Sequence, residues 1–318
     1  MKVTIIGAGI GGLTLAIALQ KKGIEVEIFE ATSAFQKVGA GIILAINAMQ
    51  IYQRLGLAEQ LKKSGNCLDK MAITNADLKS MAGNELAYFE AKYALNNVAI
   101  HRATLHEILL SELPNVPLHL DKKLQKVEER ADGIYLEFLD GSKHQSDVVI
   151  GADGIHSGVR QSIFPKAKER FAKQLCWRGV ASFKLEKGME YTMREAWGRG
   201  CRFGIVPIEN DQIYWFACAS YPKNAGETFQ DVNLAELFSN FNPLVAELIN
   251  ATPSDQVIEA ELSDLEILKT WHKGKICLMG DAAHATTPNM GQGANQAIES
   301  AWVLADCLAK EADCKTAF

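Results

Sequence analysis

Six residues near the start, Gly7-Ala8-Gly9-Ile10-Gly11-Gly12, constrain this chain more than any other stretch. They follow Lys2-Val3-Thr4-Ile5-Ile6, a short β-branched apolar run of the kind a buried parallel strand needs. Gly7 permits a tight turn, Gly9 lets backbone approach a pyrophosphate, and Gly12 lets the following helix pack closely on the strand. The spacing predicts a helix from about Ile10 to Lys22, with Leu13, Ile17 and Ala18 inward and Gly23 at its end. Its N-terminal amides, Ile10 and Gly11 included, would face phosphates. Glu25-Val26-Glu27-Ile28-Phe29-Glu30 then alternates as a second strand, placing Glu30 about twenty residues past the loop, where an acid accepts a ribose hydroxyl pair. A 2′-phosphate would be repelled there, which disfavours NADP at this site. Glycine-rich turns also join ordinary strands and helices, but here strand, loop, helix, strand and acid agree in order and distance. The adenine end of FAD or of NAD fits, and this stretch does not separate the two.

A length of 318 residues implies about two domains, and 48% hydrophobic residues are ample for packed cores. A formal net charge of −5, with no cluster of Lys and Arg interleaved with aromatics, argues against a nucleic-acid partner. No apolar run reaches membrane-spanning length, and a strand beginning at residue 2 leaves no room for a signal peptide. The seven cysteines contain no CxxC pair, as expected of a reduced, cytoplasmic protein without disulfides or a metal site.

Gly39-Ala40-Gly41-Ile42 reads as a flexible stretch, either a surface turn or a loop against a flat cofactor ring; pattern alone favours the turn. A helix over Asn47–Leu57, stopped by Gly56, follows. Polarity rises from Cys67 to Leu95, an excursion into a second domain. Val98–Arg102 returns as a strand before a helix from Thr104 to Leu113, and Arg102 at that junction is either a solvated arginine or a phosphate contact. Segments at 124–127, 134–139 and 143–145 around Asp140-Gly141 predict a small antiparallel sheet inserted in the nucleotide domain. Val148-Val149-Ile150 rejoins the parallel sheet and runs into Gly151-Ala152-Asp153-Gly154. Asp153 could simply cap the next helix, but small and acidic residues after a buried strand more often mark a ligand at the sheet's carboxyl edge.

From Pro165 to Trp271 the character changes. Segments 202–207 and 212–217 read as adjacent antiparallel strands, with Arg202, Gly204 and Val206 on one face and Tyr214 sharing a face with Phe216. Leu234 to Ile249 has helical spacing despite Pro243. Lys275–Met279 is another buried strand, ending in Gly280-Asp281-Ala282-Ala283-His284, followed by Pro288-Asn289-Met290-Gly291-Gln292-Gly293-Ala294-Asn295 and a helix to about Ala309. Asp281 can accept from polyol hydroxyls, and the glycine turn offers amides to a negatively charged ligand. His284 reads as structural, since nothing near it in sequence orients it as a base.

Together, Gly7–Gly12 with Glu30, Gly151–Gly154 with Arg160, and Gly280–His284 with Pro288 and Gly291–Gly293 resemble the single-component FAD-dependent aromatic hydroxylases, the p-hydroxybenzoate hydroxylase-like monooxygenases. The wording of the last motif is most similar to the salicylate hydroxylase, urate hydroxylase and zeaxanthin epoxidase branch. The resemblance implies FAD rather than NAD as the resident cofactor. It implies an α/β fold: a Rossmann-like FAD/NAD(P)-binding domain with an inserted β-meander over 1–66, 96–165 and 272–318, and an α+β substrate domain with an antiparallel sheet over 67–95 and 166–271. By resemblance, Asp281 binds the ribityl chain, the backbone of Gly291, Gly293, Ala294 and Asn295 holds the flavin ring, Arg102, Asp153 and Gly154 lie by the pyrophosphate or its support, and the Gly41 loop lies beside the ring. The implied reaction uses NAD(P)H, bound transiently because no second GxGxxG unit exists, and O2. A flavin C4a-hydroperoxide then hydroxylates or epoxidises a planar, aromatic or heteroaromatic small molecule.

Arg202, Tyr214 and Pro288 are the candidate catalytic and substrate-facing residues; the competing reading is a salt-bridged arginine and a packed tyrosine. Relatives continue past the last motif helix, whereas this sequence stops at Ala317-Phe318, the expectation being a short or truncated member. The alternatives are a reductase or dehydrogenase on the same scaffold without oxygen insertion, and a non-catalytic flavin sensor.

Overall fold

The computed structural model describes residues 1–35, 40–221, 232–311 and 314–318, the last with backbone only at 314 and 315. The chain divides into two compact units: Met1–Gln36 with His106–Arg170 and Ser263–Phe318, and Lys37–Leu105 with Phe171–Leu262. Residues 37–66 and 96–105, which the sequence reading attached to the nucleotide domain, group with the second unit. The reason is a small sheet in which Asn97–His101 pairs with Gly41–Leu44 and with Asn66–Leu68. Ala99 of that sheet shares an apolar cluster with Met193 and Val206.

In the first unit, six strands run in the order His272–Lys273, Ile276–Leu278, Val148–Gly151, Lys2–Ile6, Glu25–Phe29, Leu118–His119, the four central ones parallel. Their β-branched runs are buried on both faces, as a sheet covered on two sides requires. Helix Ile10–Lys21 buries nine of its twelve residues, so its composition gives it almost no polar face. The inserted antiparallel meander, Leu124–Arg130, Gly133–Phe138 and Lys143–Ser146, turns at Gly141 with φ +81°. Its alternating residues Val127, Ile134, Leu136 and Phe138 join a cluster with Ile6, Phe29 and Val149, and Phe29 stacks on Phe138 at 4.8 Å. Each such large side chain removed from water contributes about 1.5–3 kcal/mol before entropy is counted.

Beneath this cluster, the carboxylate of Glu27 is almost fully buried on the second strand. It accepts from Thr4 Oγ1 at 2.9 Å and pairs with Lys2 Nζ at 3.0 Å. Burial alone would raise its pKa, but the bonds from Lys2 and Thr4 and the nearby His144 imidazole hold it below the ordinary value.

The second unit is built on a seven-stranded sheet ordered Ile258–Leu265, Glu169–Ser182, Gln212–Ser220, Cys201–Pro207, Thr192–Trp197, Lys70–Asn75, Ser80–Glu85. It is mainly antiparallel, with one parallel pairing between Thr192–Trp197 and Lys70–Asn75. The two faces of the sheet differ. Trp177, Phe203, Ile205, Trp215 and Ala217 pack on Phe238, Val245 and Leu248 of the helical segment, a dry core in which Trp215 Nε1 donates to Thr252 Oγ1 at 2.8 Å. The opposite face carries Arg178, Glu195, Arg202, Tyr214, Phe216 and Cys218.

Two local expectations change. The helical spacing over 234–249 resolves into Leu234–Leu237 and Pro243–Asn250. Pro243 cannot donate in a helix interior, and instead it opens the second helix, with Asn242 capping the Leu244 amide. The small-residue stretch near Gly41 is a strand rather than a turn, and Ala40 before it is buried; Gly39 lies outside the described residues.

Candidate active site

In the first unit, three turns meet at one place, the carboxyl edge of the parallel sheet. They follow Lys2–Ile6, Val148–Gly151 and Ile276–Leu278, which are neighbours in the strand order. That edge is where open α/β sheets bind their ligands.

The glycines there are explained by the space around them. Gly7 has φ +107°, and a Cβ on it would sit 2.4 Å from Ala152 O; one on Gly12 would sit 2.1 Å from Gly7 O. Both positions therefore exclude any side chain. Gly9 is different, because a Cβ there would meet nothing within 4 Å. Chain packing does not demand a glycine at that position, whereas close approach of a ligand does. The helix that follows has no side-chain cap and no acid in its first turn, leaving its amides and positive dipole end for an anion. Helix Gly293–Lys310 begins the same way, with no side-chain cap at Gln292 and no acid in its first turn.

Each acid has a definable place. Glu30 accepts from the Ala8 amide at 2.7 Å and from the Thr32 amide at 2.9 Å, which fixes its carboxylate against the glycine loop. Asp153 accepts from Ser157 Oγ at 2.6 Å and from the Val159 amide at 3.1 Å, and Ser157 in turn caps Gly158–Ile163 at the Arg160 amide. Burial pushes the Asp153 carboxyl up, against these hydrogen bonds. Both of its oxygens brace the turn between the strand and the helix that Ser157 caps. Gly154 beside it takes φ +78°. Asp281 is exposed, and a Cβ on Gly293 would lie 3.9 Å from its Oδ1. Asn295 is 1% exposed and donates to Gly291 O at 3.0 Å, so its side chain holds the glycine turn. Pro288 opens the exposed single turn Pro288–Met290, and Ala294 lies in the first turn of the helix.

Arg160 ties two of these turns together. Only 2% exposed, it donates to Ala282 O at 3.2 Å and to Ile155 O, and pairs with Glu169 at 3.0 Å. His284 contacts Ser300 Oγ at 3.0 Å and packs on Trp271; burial holds its imidazole below the ordinary value, in keeping with a structural role.

The remaining candidates, Gly41, Arg102, Arg202 and Tyr214, belong to the second unit. A Cβ on Gly41 would fall 2.5 Å from the Tyr214 side chain, so this glycine is required by the ring packed on it. Arg102 is exposed at the start of Arg102–Ser111, its amide bonded to Ala40 O. Arg202 and Tyr214 do share a sheet face, on either side of Phe216. Arg202 pairs with Glu195 at 3.0 Å, and burial drives the Tyr214 phenol well above its ordinary pKa against the nearby Arg178 charge. Beside Arg202 lies a cavity of about 180 Å³, also lined by Gln174, Trp197, Cys201, Cys218 and Ser220. Sequence reading missed Gln174 and Arg178, whose buried Oε1 and Nε atoms have no hydrogen-bond partner among the described residues. The signal available was a polar residue at the inward-alternating positions of a long strand.

The edge of the first unit fits FAD: it combines glycines no side chain can replace, an open position at Gly9, two uncapped helix N-termini and a carboxylate at the end of the second strand. Comparison with known proteins agrees. The model of the FAD binding domain family matches residues 1–314. Aurachin C monooxygenase/isomerase of Stigmatella aurantiaca is 36% identical over 98% of this chain and 82% of the relative. The 6-hydroxynicotinate 3-monooxygenase of Bordetella bronchiseptica is 32% identical over 95% of this chain and 81% of its own length. Among solved structures, Klebsiella pneumoniae HpxO complexed with FAD and uric acid superposes with a TM-score of 0.90 at 28% identity, covering 100% of this chain and 82% of that one. The chain belongs to the FAD binding domain family, among the single-component FAD-dependent monooxygenases.

Proposed function

We propose that this FAD-dependent monooxygenase hydroxylates or epoxidises a planar aromatic or heteroaromatic small molecule, using NAD(P)H and O2, and that the turns described above hold its cofactor. The observation that carries the assignment of residues is the convergence of three glycine-bearing turns at one sheet edge, with Gly9 open to a ligand. Bound FAD, once reduced by NAD(P)H, supplies the electrons that activate O2 and the route by which one oxygen atom reaches the substrate.

The chain's own residues do the positioning. In this reading the amides of Gly9, Ile10, Gly11 and Gly12 and their helix dipole take the pyrophosphate, and Gly7 sets the turn that presents them. Glu30, fixed by the Ala8 and Thr32 amides, accepts from ribose hydroxyls with its free lone pairs. Asp281 accepts from the ribityl chain, while the Gly291–Asn295 backbone offers donors toward the flavin ring's carbonyl edge. Asp153 and Gly154 hold the second turn, Arg102 contributes cationic charge, Pro288 shapes the approach to the last turn, and the strand at Gly41 supports Tyr214. Tyr214, a phenol that burial pushes further above its ordinary value, donates its Oη proton to an oxygen of the substrate, and Arg202 gives the same sheet face a positive charge.

A visible spectrum of the purified protein, followed by anaerobic additions of NADPH and NADH with and without planar aromatics, tests this. Oxidised flavin bands that bleach faster with one compound are expected. A protein that stays colourless with added FAD would refute the assignment; bleaching without any O2-dependent product would favour the reductase alternative.

A further inference from the structure

Four arginines lie on the strands of the seven-stranded sheet, and among the described residues three of them meet an acceptor, Arg170 by pairing with Asp264 at 2.8 Å. Arg202 pairs with Glu195 at 3.0 Å. Arg194 donates to the carbonyls of Met189 and Thr192, both at 3.3 Å. Arg178, half-buried on Glu169–Ser182, has a fully buried Nε without a partner, and its guanidinium makes no ion pair among the described residues. A buried donor left without an acceptor costs about 1–3 kcal/mol unless something supplies the missing partner.

Its position narrows what that something is. Arg178 lies directly opposite Phe216 and shares a face with Tyr214 and Cys218. Its charge acts on the Tyr214 phenol. The face therefore offers an aromatic wall, a hydroxyl donor and a rigid fork of N–H donors, which matches the edge of a planar ring bearing an oxyanion. Gln174 Oε1 is a second orphan on the same strand face, but four residues along at about 3.3 Å per residue it is some 13 Å away, too far for one ring to satisfy both. The charged orphan is the costlier one to leave unmet.

Building on the monooxygenase reading, we infer that Arg178 is a specificity-determining residue, binding a carboxylate or ionised ring oxygen of the substrate, while Arg202 is held by Glu195 as part of the wall.

The test uses FAD-loaded wild type, Arg178→Gln and Arg178→Lys, titrated with 6-hydroxynicotinate, urate and 3-amino-4-hydroxybenzoate, and with 2-hydroxypyridine and 2-aminophenol as probes lacking the carboxylate. Kd is read from perturbation of the flavin bands, and FAD content from the ratio of visible to protein absorbance. The expected result is at least a tenfold weaker Kd for a carboxylate or urate probe in Arg178→Gln, partial recovery in Arg178→Lys, a change below twofold for the neutral probes 2-hydroxypyridine and 2-aminophenol, and unaltered FAD content. Equal binding of the anionic probes by wild type and Arg178→Gln would overturn the inference, as would a wild-type holoenzyme whose spectrum no anionic probe perturbs. Loss of FAD from Arg178→Gln alone would assign the guanidinium to the cofactor instead. Failure of the monooxygenase reading has a separate sign: no NAD(P)H-dependent flavin reduction in the wild type.

Discussion

In the proposed reading the two units recognise their ligands by different means. At the sheet edge of the first, backbone does the work: glycines with no room for a Cβ, uncapped helix ends, and acids such as Glu30 and Asp153 whose oxygens are already bonded to amides or hydroxyls. On the sheet face of the second, side chains do it, and two of them carry buried atoms without partners among the described residues. A site made of backbone is specified by where side chains are forbidden, so it reads plainly in sequence. One made of side chains can be retuned residue by residue, as expected of the part that selects a substrate.

If that contrast holds, the first unit should be intolerant of small changes. The largest effect is expected for Gly12→Ala, whose Cβ would sit 2.1 Å from Gly7 O. The helix must move off the strand, and we expect loss of FAD retention with destabilisation of several kcal/mol, read by thermal melting and flavin absorbance. A stable, yellow Gly12→Ala protein would break the comparison at its root. Arg160→Met should cost about 3–5 kcal/mol in urea unfolding, since it strands Glu169 and two carbonyls around a 2% exposed site.

Glu27→Gln sharpens the picture through pH. Because the Glu27 carboxyl is held below its ordinary value of 4.5, its contribution is present in full above that pH and disappears as the folded group is protonated on acidification. The variant should be about 1–3 kcal/mol less stable than wild type at pH 7, with the gap closing below about pH 4.5 in denaturant titrations at several pH values. In the second unit, a double-mutant cycle on Arg202 and Glu195 should return a coupling of about 1–2 kcal/mol, and a value near zero would mean that Arg202 is available to a ligand after all. The smallest change in stability, within about 0.5 kcal/mol, is expected for Gly9→Ala, because its Cβ meets nothing in the protein. FAD affinity should nevertheless fall at least tenfold, separating what the fold needs from what the ligand needs.

How much the sequence disclosed follows the same division. Strand Lys2–Ile6, helix Ile10–Lys21 and strand Glu25–Phe29 lie within a residue of their expected bounds, because β-branching, glycine and spacing are local signals. The meander was legible for the same reason, Asp140-Gly141 being a turn whose chemistry is self-contained. Pro243 was misread because a proline that opens a helix and one that interrupts it look alike until the Asn242 cap is seen. The strand at Gly41 was missed because its partner, Asn97–His101, is over fifty residues away and the glycine is required by Tyr214 rather than by any turn. Arg178 and Gln174 were legible only as polar residues at alternating positions of a long strand; that each has a buried atom without a partner among the described residues is set by what surrounds it, which periodicity does not record.

The most direct measurement is mass spectrometry of the product formed under 18O2 by the FAD-loaded protein with NAD(P)H and the aromatic compound that most accelerates flavin reduction. The account predicts a product carrying one oxygen atom from 18O2. Flavin reduction with every O2 recovered as hydrogen peroxide, or a product without the label, would contradict it.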